Sequence, residues 1–225
     1  MTESGPLESW HSREYVAQWA REDVIADLLA LPRRIATALV ADSRLRVEHV
    51  VDVGAGPGAF LELFLNAFPS ARGTWVDVSE AMRELAAEQL VELGDRVTYV
   101  VGDAERLDEL AVDPAQVLVS SRTLHHFSPA SLQRVYRAAF DVVAPAGFVI
   151  NLDHVGAPGD WERAYRRIRL QFTGDRKQAL RPHRHDYPLR RADEHAMWME
   201  AAGFEHADVP WRAFYTALVI ARKPA

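Results

Sequence analysis

The 225-residue chain contains no cysteine. Disulfides, thiolate metal sites, iron–sulfur clusters and a cysteine nucleophile are therefore excluded, and a reducing compartment is permitted. No stretch approaches the ~18 consecutive apolar residues that a membrane-spanning helix needs. The opening residues MTESGPLESW lack a charged-then-apolar signal pattern. The expectation is a soluble, cytoplasmic protein with no membrane partner. An overall basic excess is also missing: the net charge is −6, which argues against a dedicated nucleic-acid binder. Lysine is nearly absent, since of 26 basic residues only Lys177 and Lys223 are lysines. There are no internal repeats and no low-complexity tract.

What is present is enough apolar material, 48% of residues, to bury one good core, and the length favours a single domain. Residues 9 to about 42 read as two helices broken at Pro32, with Tyr15, Val16, Trp19, Leu28, Leu29, Ile35 and Leu39 at roughly helical spacing. From His49 onward, short β-branched runs alternate with amphipathic stretches. HVVDV, GTWVDV, RVTYVV, AQVLVS and GFVINLD are candidate strands. Ser79 and Ser128-Pro129 read as helix starts and Gly94 as a helix stop. This alternation predicts a parallel sheet covered on both faces. After Asp153 the rhythm changes to a helix (GDWERAYRRIRLQF), a loop over 174–190, a helix stopped by Gly203, and two closing strands, FEHADV and WRAFYTALVIARK, placed to pair antiparallel.

The run VVDVGAGPGAF ends in Gly54, Gly56 and Gly58. Glycines at a strand's carboxyl end allow a ligand to approach the backbone, and the helix that follows offers unpaired N–H groups to an anion. The same spacing, with Ala59 in the sixth position, also satisfies the dinucleotide fingerprint. Two further acids sit at successive strand tips. Asp77 ends TWVDV and can accept two ribose hydroxyls, and Asp103 ends YVVGD and can accept from an exocyclic amine, with the Ala104 N–H beside it. Two acids so placed describe a nucleoside rather than a pyrophosphate.

On these motifs the sequence resembles the class I, Rossmann-like S-adenosylmethionine-dependent methyltransferases of the small-molecule type. VVDVGAGPG looks like their first motif, Asp77 in DVSEAM like their ribose acid and Asp103 in GDAERL like their adenine acid. SSRTLHHFS looks like their segment at the methionine end, and VVAPAGFVINLD like their turn into the fifth strand, with Ala146 where a glycine is usual. The resemblance implies an α/β fold: a seven-stranded, mostly parallel sheet in the order 3-2-1-4-5-7-6, with an antiparallel last strand and helices on both faces. It implies one domain over 1–225, made of an N-terminal helical cap (1–44), a cofactor-binding core (45–155), a substrate-side insertion (156–190) and a closing helix and strand pair (191–225). By the same resemblance S-adenosylmethionine is the cofactor. Asp52 and the loop Gly54, Ala55, Gly56 and Gly58 hold its methionine end, Asp77 its ribose, and Val78 and Met82 pack its adenine. Asp103 and Ala104 read the adenine edge, and Ser120 and Ser121 lie near the tail.

Methyl transfer from a sulfonium is an in-line displacement in which alignment of the reactants is the protein's main task. A base is needed chiefly for a hydroxyl or protonated amine acceptor. His126 and His154 are the catalytic candidates, because both follow strands at the ligand side of the sheet, and the loop histidines His183 and His185 come second. No metal is expected. Tyr15, Trp19, Arg33, His125, Trp161, Arg169 and Tyr215 are the candidate acceptor-binding residues. Residues 160–191 hold ten arginines and lysines against four acids, which is compatible with an anionic substrate or with a salt-bridged solvent face. The acceptor is expected to be a small molecule, a bacterial metabolite or natural product, and a homodimer is left open. A non-catalytic S-adenosylmethionine-binding protein and an NAD(P)-dependent oxidoreductase remain the alternatives.

Overall fold

Seven strands, β1 (His49–Val53), β2 (Arg72–Asp77), β3 (Val97–Val101), β4 (Ala115–Ser121), β5 (Val143–His154), β6 (Glu205–Ala213) and β7 (Thr216–Arg222), lie in one sheet. Their order is β3-β2-β1-β4-β5-β7-β6. The computed structural model describes residues 10–21, 26–173 and 187–225. The first five strands are mutually parallel, and β7 inserts antiparallel between β5 and β6. β1 and β4 sit side by side, on either side of the point where the strand order reverses. Their carboxyl ends therefore open a crevice between the loops that leave them, the place where open α/β sheets bind ligands.

Seven helices connect or flank the strands among the described residues: α1 (Arg13–Arg21), α2 (Ala26–Asp42), α3 (Ala59–Ala67), α4 (Glu80–Gln89), α5 (Pro129–Val142), α6 (Trp161–Thr173) and α7 (Ala192–Ala201). Every residue of β1 is buried, as a central parallel strand covered on both faces requires. One core lies under α2, α3 and α4, around Leu29, Val40, Phe60, Phe64 and Trp75. The other lies under α5 and α7, around Leu132, Val135, Tyr136, Met199 and Phe204. The two serine caps form as read: the Ser79 hydroxyl accepts from the Met82 N–H and that of Ser128 from the Ser131 N–H, with Pro129 in the first turn.

Three details differ from the expectation. Pro32 lies inside α2 and does not break it. An interior proline costs about 3 kcal/mol, but Leu29, Pro32, Ala36 and Val40 share the buried face. Burial of large apolar side chains at roughly 1.5–3 kcal/mol each offsets that cost. Leu39 faces outward, 39% exposed. α4 stops at Gln89, before Gly94, which sits at φ 54° within a following 3-10 turn over Val91–Arg96. Trp211–Ala213 belong to β6, not to the last strand, so the hairpin turns at Phe214-Tyr215. β6 is an edge strand with register shifts on either side of Asp208, which is where a proline such as Pro210 is tolerated.

Ala146 adopts φ 61°, a left-handed conformation that costs an L-residue roughly 1–2 kcal/mol. It is held there by its N–H donating to Pro224 O at 3.0 Å and by Arg222 Nε donating to Ala146 O at 3.1 Å. Glycine removes the steric cost and gives back about 0.4–1 kcal/mol through the unfolded chain. Ala146→Gly is therefore expected to raise stability in urea unfolding by about 0.5 kcal/mol, where the same change in a relaxed loop lowers it.

Candidate cofactor and acceptor site

The three glycines answer to three different neighbours. A Cβ on Gly54 would lie 2.1 Å from Thr123 Cγ2, and one on Gly58 2.6 Å from Leu90 Cδ1. Those two absences are filled by the protein itself. Gly56 alone has open space where its Cβ would stand, and it lines the cleft. The loop is pinned along its length. Val76 O accepts from the N–H groups of Gly54 and Ala55 at 2.8 and 3.0 Å, Thr123 Oγ1 donates to Gly54 O at 2.9 Å, and the indole N–H of Trp75 donates to Gly56 O at 2.8 Å. Trp75 and Thr123 were not singled out from the sequence. A fully buried tryptophan at a strand tip needs a partner for its N–H, and that is the signal that points to Trp75.

A cleft of about 280 Å³ opens above this loop, lined by Asp52, Gly54, Ala55, Gly56, Asp77, Val78, Met82, Asp103, Ala104, Ser121 and His126 among others. The cofactor candidates thus converge on one cavity, with two exceptions. Gly58 packs against Leu90 below the loop. Ser120 is 1% exposed and its hydroxyl donates to Val53 O at 2.8 Å, because alternation along β4 turns it away from Ser121. Met82 belongs both to the core and to the cleft wall.

Asp52 and Asp77 are buried carboxylates with different surroundings. Asp52 Oδ2 accepts from the Leu61 N–H at 3.1 Å near the start of α3, while its Oδ1 has no hydrogen-bond partner. Burial pushes its carboxyl up to about 7, against the opposing pull of the Arg33 charge and the Leu61 N–H. Asp77 is raised by burial too, but the backbone N–H groups of Gly56 and Ser79 donate to its Oδ2 and Oδ1 at 2.9 and 3.0 Å and draw it back down. Each Asp77 oxygen keeps a further lone pair, enough for a pair of hydroxyls. Asp103 uses Oδ1 to accept from the Glu105 N–H at 2.9 Å, capping a 3-10 turn over Ala104–Glu109. It therefore caps a turn and borders the cleft at once.

The histidines separate. His126 lines the cleft. His125 does not; it is buried with its backbone N–H and Nδ1–H both donating to Asp153, at 2.8 and 2.5 Å. Burial alone would raise Asp153, but His125 and His154 hold it below the usual carboxylate range. His154, also buried, packs with its ring 5.6 Å from that of Tyr215 and 4.9 Å from that of His125, away from the cleft wall. Both residues are withdrawn because the Asp153 carboxylate between them takes their N–H groups into the sheet's end.

Of the acceptor candidates, Arg33 lines the cleft. Tyr15 instead meets Trp10 edge-on with ring centres 5.1 Å apart, and it is Trp10 that reaches the wall. Tyr215 covers His154, and Trp161 is exposed, stacked on Tyr165. The side chains of Trp19 and Arg169, and all of His183 and His185, lie outside the described residues. Sequence reading missed Trp10, Phe60, Gln89, Arg122, Thr123 and Phe127, which also line the wall. Within the described part of the basic segment, Arg163 pairs with Asp160, Arg190 with Glu194 and Arg191 with Asp193. These pairs support the solvent-face reading of that segment. No helix among the described residues is long and apolar enough to cross a membrane.

Residues 50–147 match the family model described as "Methyltransferase domain". The malonyl-[acyl-carrier protein] O-methyltransferase of Priestia megaterium is 31% identical over 102 residues, covering 45% of this chain and 35% of that protein. Its namesake from Neorickettsia risticii is 28% identical over 170 residues, covering 70% and 62%. An O-methyltransferase family protein from Burkholderia thailandensis superposes with a TM-score of 0.70 at 16% identity, over 95% of this chain and 60% of that one; at that identity the likeness concerns the fold. The chain thus spans from about a third to three fifths of the length of these relatives. The glycine loop and the two strand-tip acids all lie within the matched residues 50–147, and the likeness to methyltransferases is carried by that stretch and by the fold.

Proposed function

We propose that the protein transfers a methyl group from S-adenosylmethionine to an oxygen of a small acceptor that carries a carboxylate. The observation that carries the reading is the composition of one cavity. Carboxylates at the tips of β1 and β2, and Asp103 just past β3, border the same space as an open Gly56, Arg33, Arg122 and His126. The buried, unpartnered Asp52 Oδ1 fits an ammonium, Asp77 fits a pair of ribose hydroxyls, and the open face of Gly56 leaves room for the ligand. When bound, the cofactor supplies a methyl group on a positively charged sulfur. The chain's own part is to align the acceptor, exclude water, and offer positive charge on the acceptor side. The substrate named for the two curated relatives, malonyl-[acyl-carrier protein], carries a free carboxylate, which supports an anionic acceptor here.

A carboxylate acceptor, with an ordinary pKa near 4, arrives ionised and needs no base. Incubation with S-adenosylmethionine and a panel of small di- and tricarboxylic acids is expected to yield a product heavier by one methyl group and cleaved by mild alkali, as an ester is. His126→Ala is expected to lower kcat by less than about tenfold. A loss of 10²–10⁴-fold, the range for a missing general base, would instead mark a hydroxyl acceptor. Binding of the cofactor without turnover on any acceptor points to a binding protein.

Asp52 makes cofactor binding depend on pH. Its folded-state carboxyl is raised from 3.8 to about 7, so the neutral form favours folding at low pH and that contribution fades as pH rises toward 7. An ammonium group needs the ionised form, so binding must release the proton. S-adenosylhomocysteine is expected to bind up to about tenfold more weakly per unit below pH 7. Calorimetry in buffers of different ionisation enthalpy should show close to one proton released at pH 6 and close to none at pH 8. Proton uptake at pH 6, or the same release from Asp52→Asn, removes Asp52 from this role.

A further inference from the structure

Three consecutive residues of β2 hold three consecutive residues of the glycine loop. The Val76 carbonyl accepts from the Gly54 and Ala55 N–H groups, the Trp75 indole N–H donates to Gly56 O at 2.8 Å, and the Gly56 N–H donates to Asp77 Oδ2 at 2.9 Å. Side chains two apart on a strand share a face. Trp75 packs on the side of the sheet covered by α2, α3 and α4, Asp77 follows it on that side, and Val76 packs into the opposite core. Gly56 thus has its carbonyl taken by one of these two side chains and its N–H by the other.

Trp75 is fully buried and is not part of the cleft wall. Its ring lies 5.7 Å from that of Tyr99, its register partner on β3, and its register partner on β1 is Asp52. A phenylalanine or leucine would serve to fill core space. The indole adds one N–H, which costs free energy in a core unless it is bonded, and here that donor is spent on the loop. Gly56 adopts φ 52° with open space where a Cβ would stand, so no side chain of its own fixes its orientation and the two hydrogen bonds do. The carboxylate that it serves also needs holding, because the terminal torsion of an aspartate is broad. Asp77 is set by a donor at each oxygen, the Gly56 N–H at Oδ2 and the Ser79 N–H at Oδ1. Ser79 is fixed separately, as the N-cap of α4, whereas the Gly56 donor is steadied by the indole.

We propose that Trp75 is a positioning residue for the ribose: its indole N–H holds Gly56, and Gly56 holds the Asp77 carboxylate in the orientation that accepts two neighbouring hydroxyls. That role depends on Asp77 as the acceptor of the ribose hydroxyls. A side chain that stands outside the cleft wall thereby sets ribose affinity from within the core, and Trp75 and Asp77 act as one unit.

A double-mutant cycle on the full chain, read by calorimetry with S-adenosylhomocysteine, tests the coupling. Trp75→Phe is expected to weaken binding about five- to tenfold, as the loss of one hydrogen bond does. In an Asp77→Asn background the same change is expected to cost less than about twofold, because residues that act through one contact do not add. Equal losses in the two backgrounds mean that the indole only fills the core, and no loss in either means that the loop holds itself. Both outcomes overturn the proposal. With Trp75 in place, its indole N–H resonance in NMR spectra is expected to shift when S-adenosylhomocysteine binds, and to shift less in Asp77→Asn saturated with the same ligand. A shift equal in both proteins, or absent from both, also overturns the proposal, and this measurement decides the matter if Trp75→Phe does not fold. Failure of the unaltered protein to bind S-adenosylhomocysteine, or an Asp77→Asn change without effect on affinity, overturns instead the cofactor reading on which the role depends.

Discussion

The contact between Thr123 and Gly54 is the constraint on which the ligand end of the molecule depends. The threonine side chain occupies the volume where a Cβ of residue 54 would stand, and its hydroxyl donates to Gly54 O. The loop leaving β1 and the turn leaving β4 are thereby locked together across the switch point of the sheet. With that lock in place, Ala55 and Gly56 are presented to the cleft from one side and His126 and Phe127 from the other. The same turn is tied at its far end by His125, whose N–H groups run to Asp153 at the end of β5. Three adjacent strand ends, β1, β4 and β5, are joined by side chains where ladder hydrogen bonds stop.

Charge is distributed along this edge by degree of satisfaction. Asp153 accepts from His125 twice and from the His154 N–H, is 0% exposed, and serves the scaffold. Asp77 accepts two backbone N–H groups and retains lone pairs for a ligand. Asp52 accepts one and leaves an oxygen bare. A buried acceptor without a partner costs free energy, and a ligand that supplies the donor recovers it. The gradient from satisfied to unsatisfied carboxylate marks the passage from structure to function more clearly than residue type does.

Much of this was legible in the sequence because its causes are local. The glycine spacing, the acids at strand tips and the serine caps are set within a few residues of chain, and the structure brings Asp52, Asp77, Asp103 and Ala104 into one cavity. The glycines were legible as a pattern but not as a mechanism. Two of the three make way for Thr123 and Leu90, residues 69 and 32 positions away along the chain, and of the three only Gly56 has open space where its Cβ would stand. Histidines were harder. His125, His126 and His154 lie near strand ends alike, and which of them looks into the cleft turns on a single carboxylate between two of them.

The sequence by itself determined the order and type of most elements, the acids at the strand tips and the family resemblance. Hydrophobic period, turn chemistry and motif spacing act over short distances and do not wait for packing. The tertiary structure decided which face of β4 and which histidine border the cleft, and the reach of Arg33 from α2 to the cleft wall. It also placed Trp10 in the wall instead of Tyr15. Those outcomes depend on strand register and on where a helix docks, and one residue of register or one turn of helix exchanges the side chain that faces the cavity for one that faces the core.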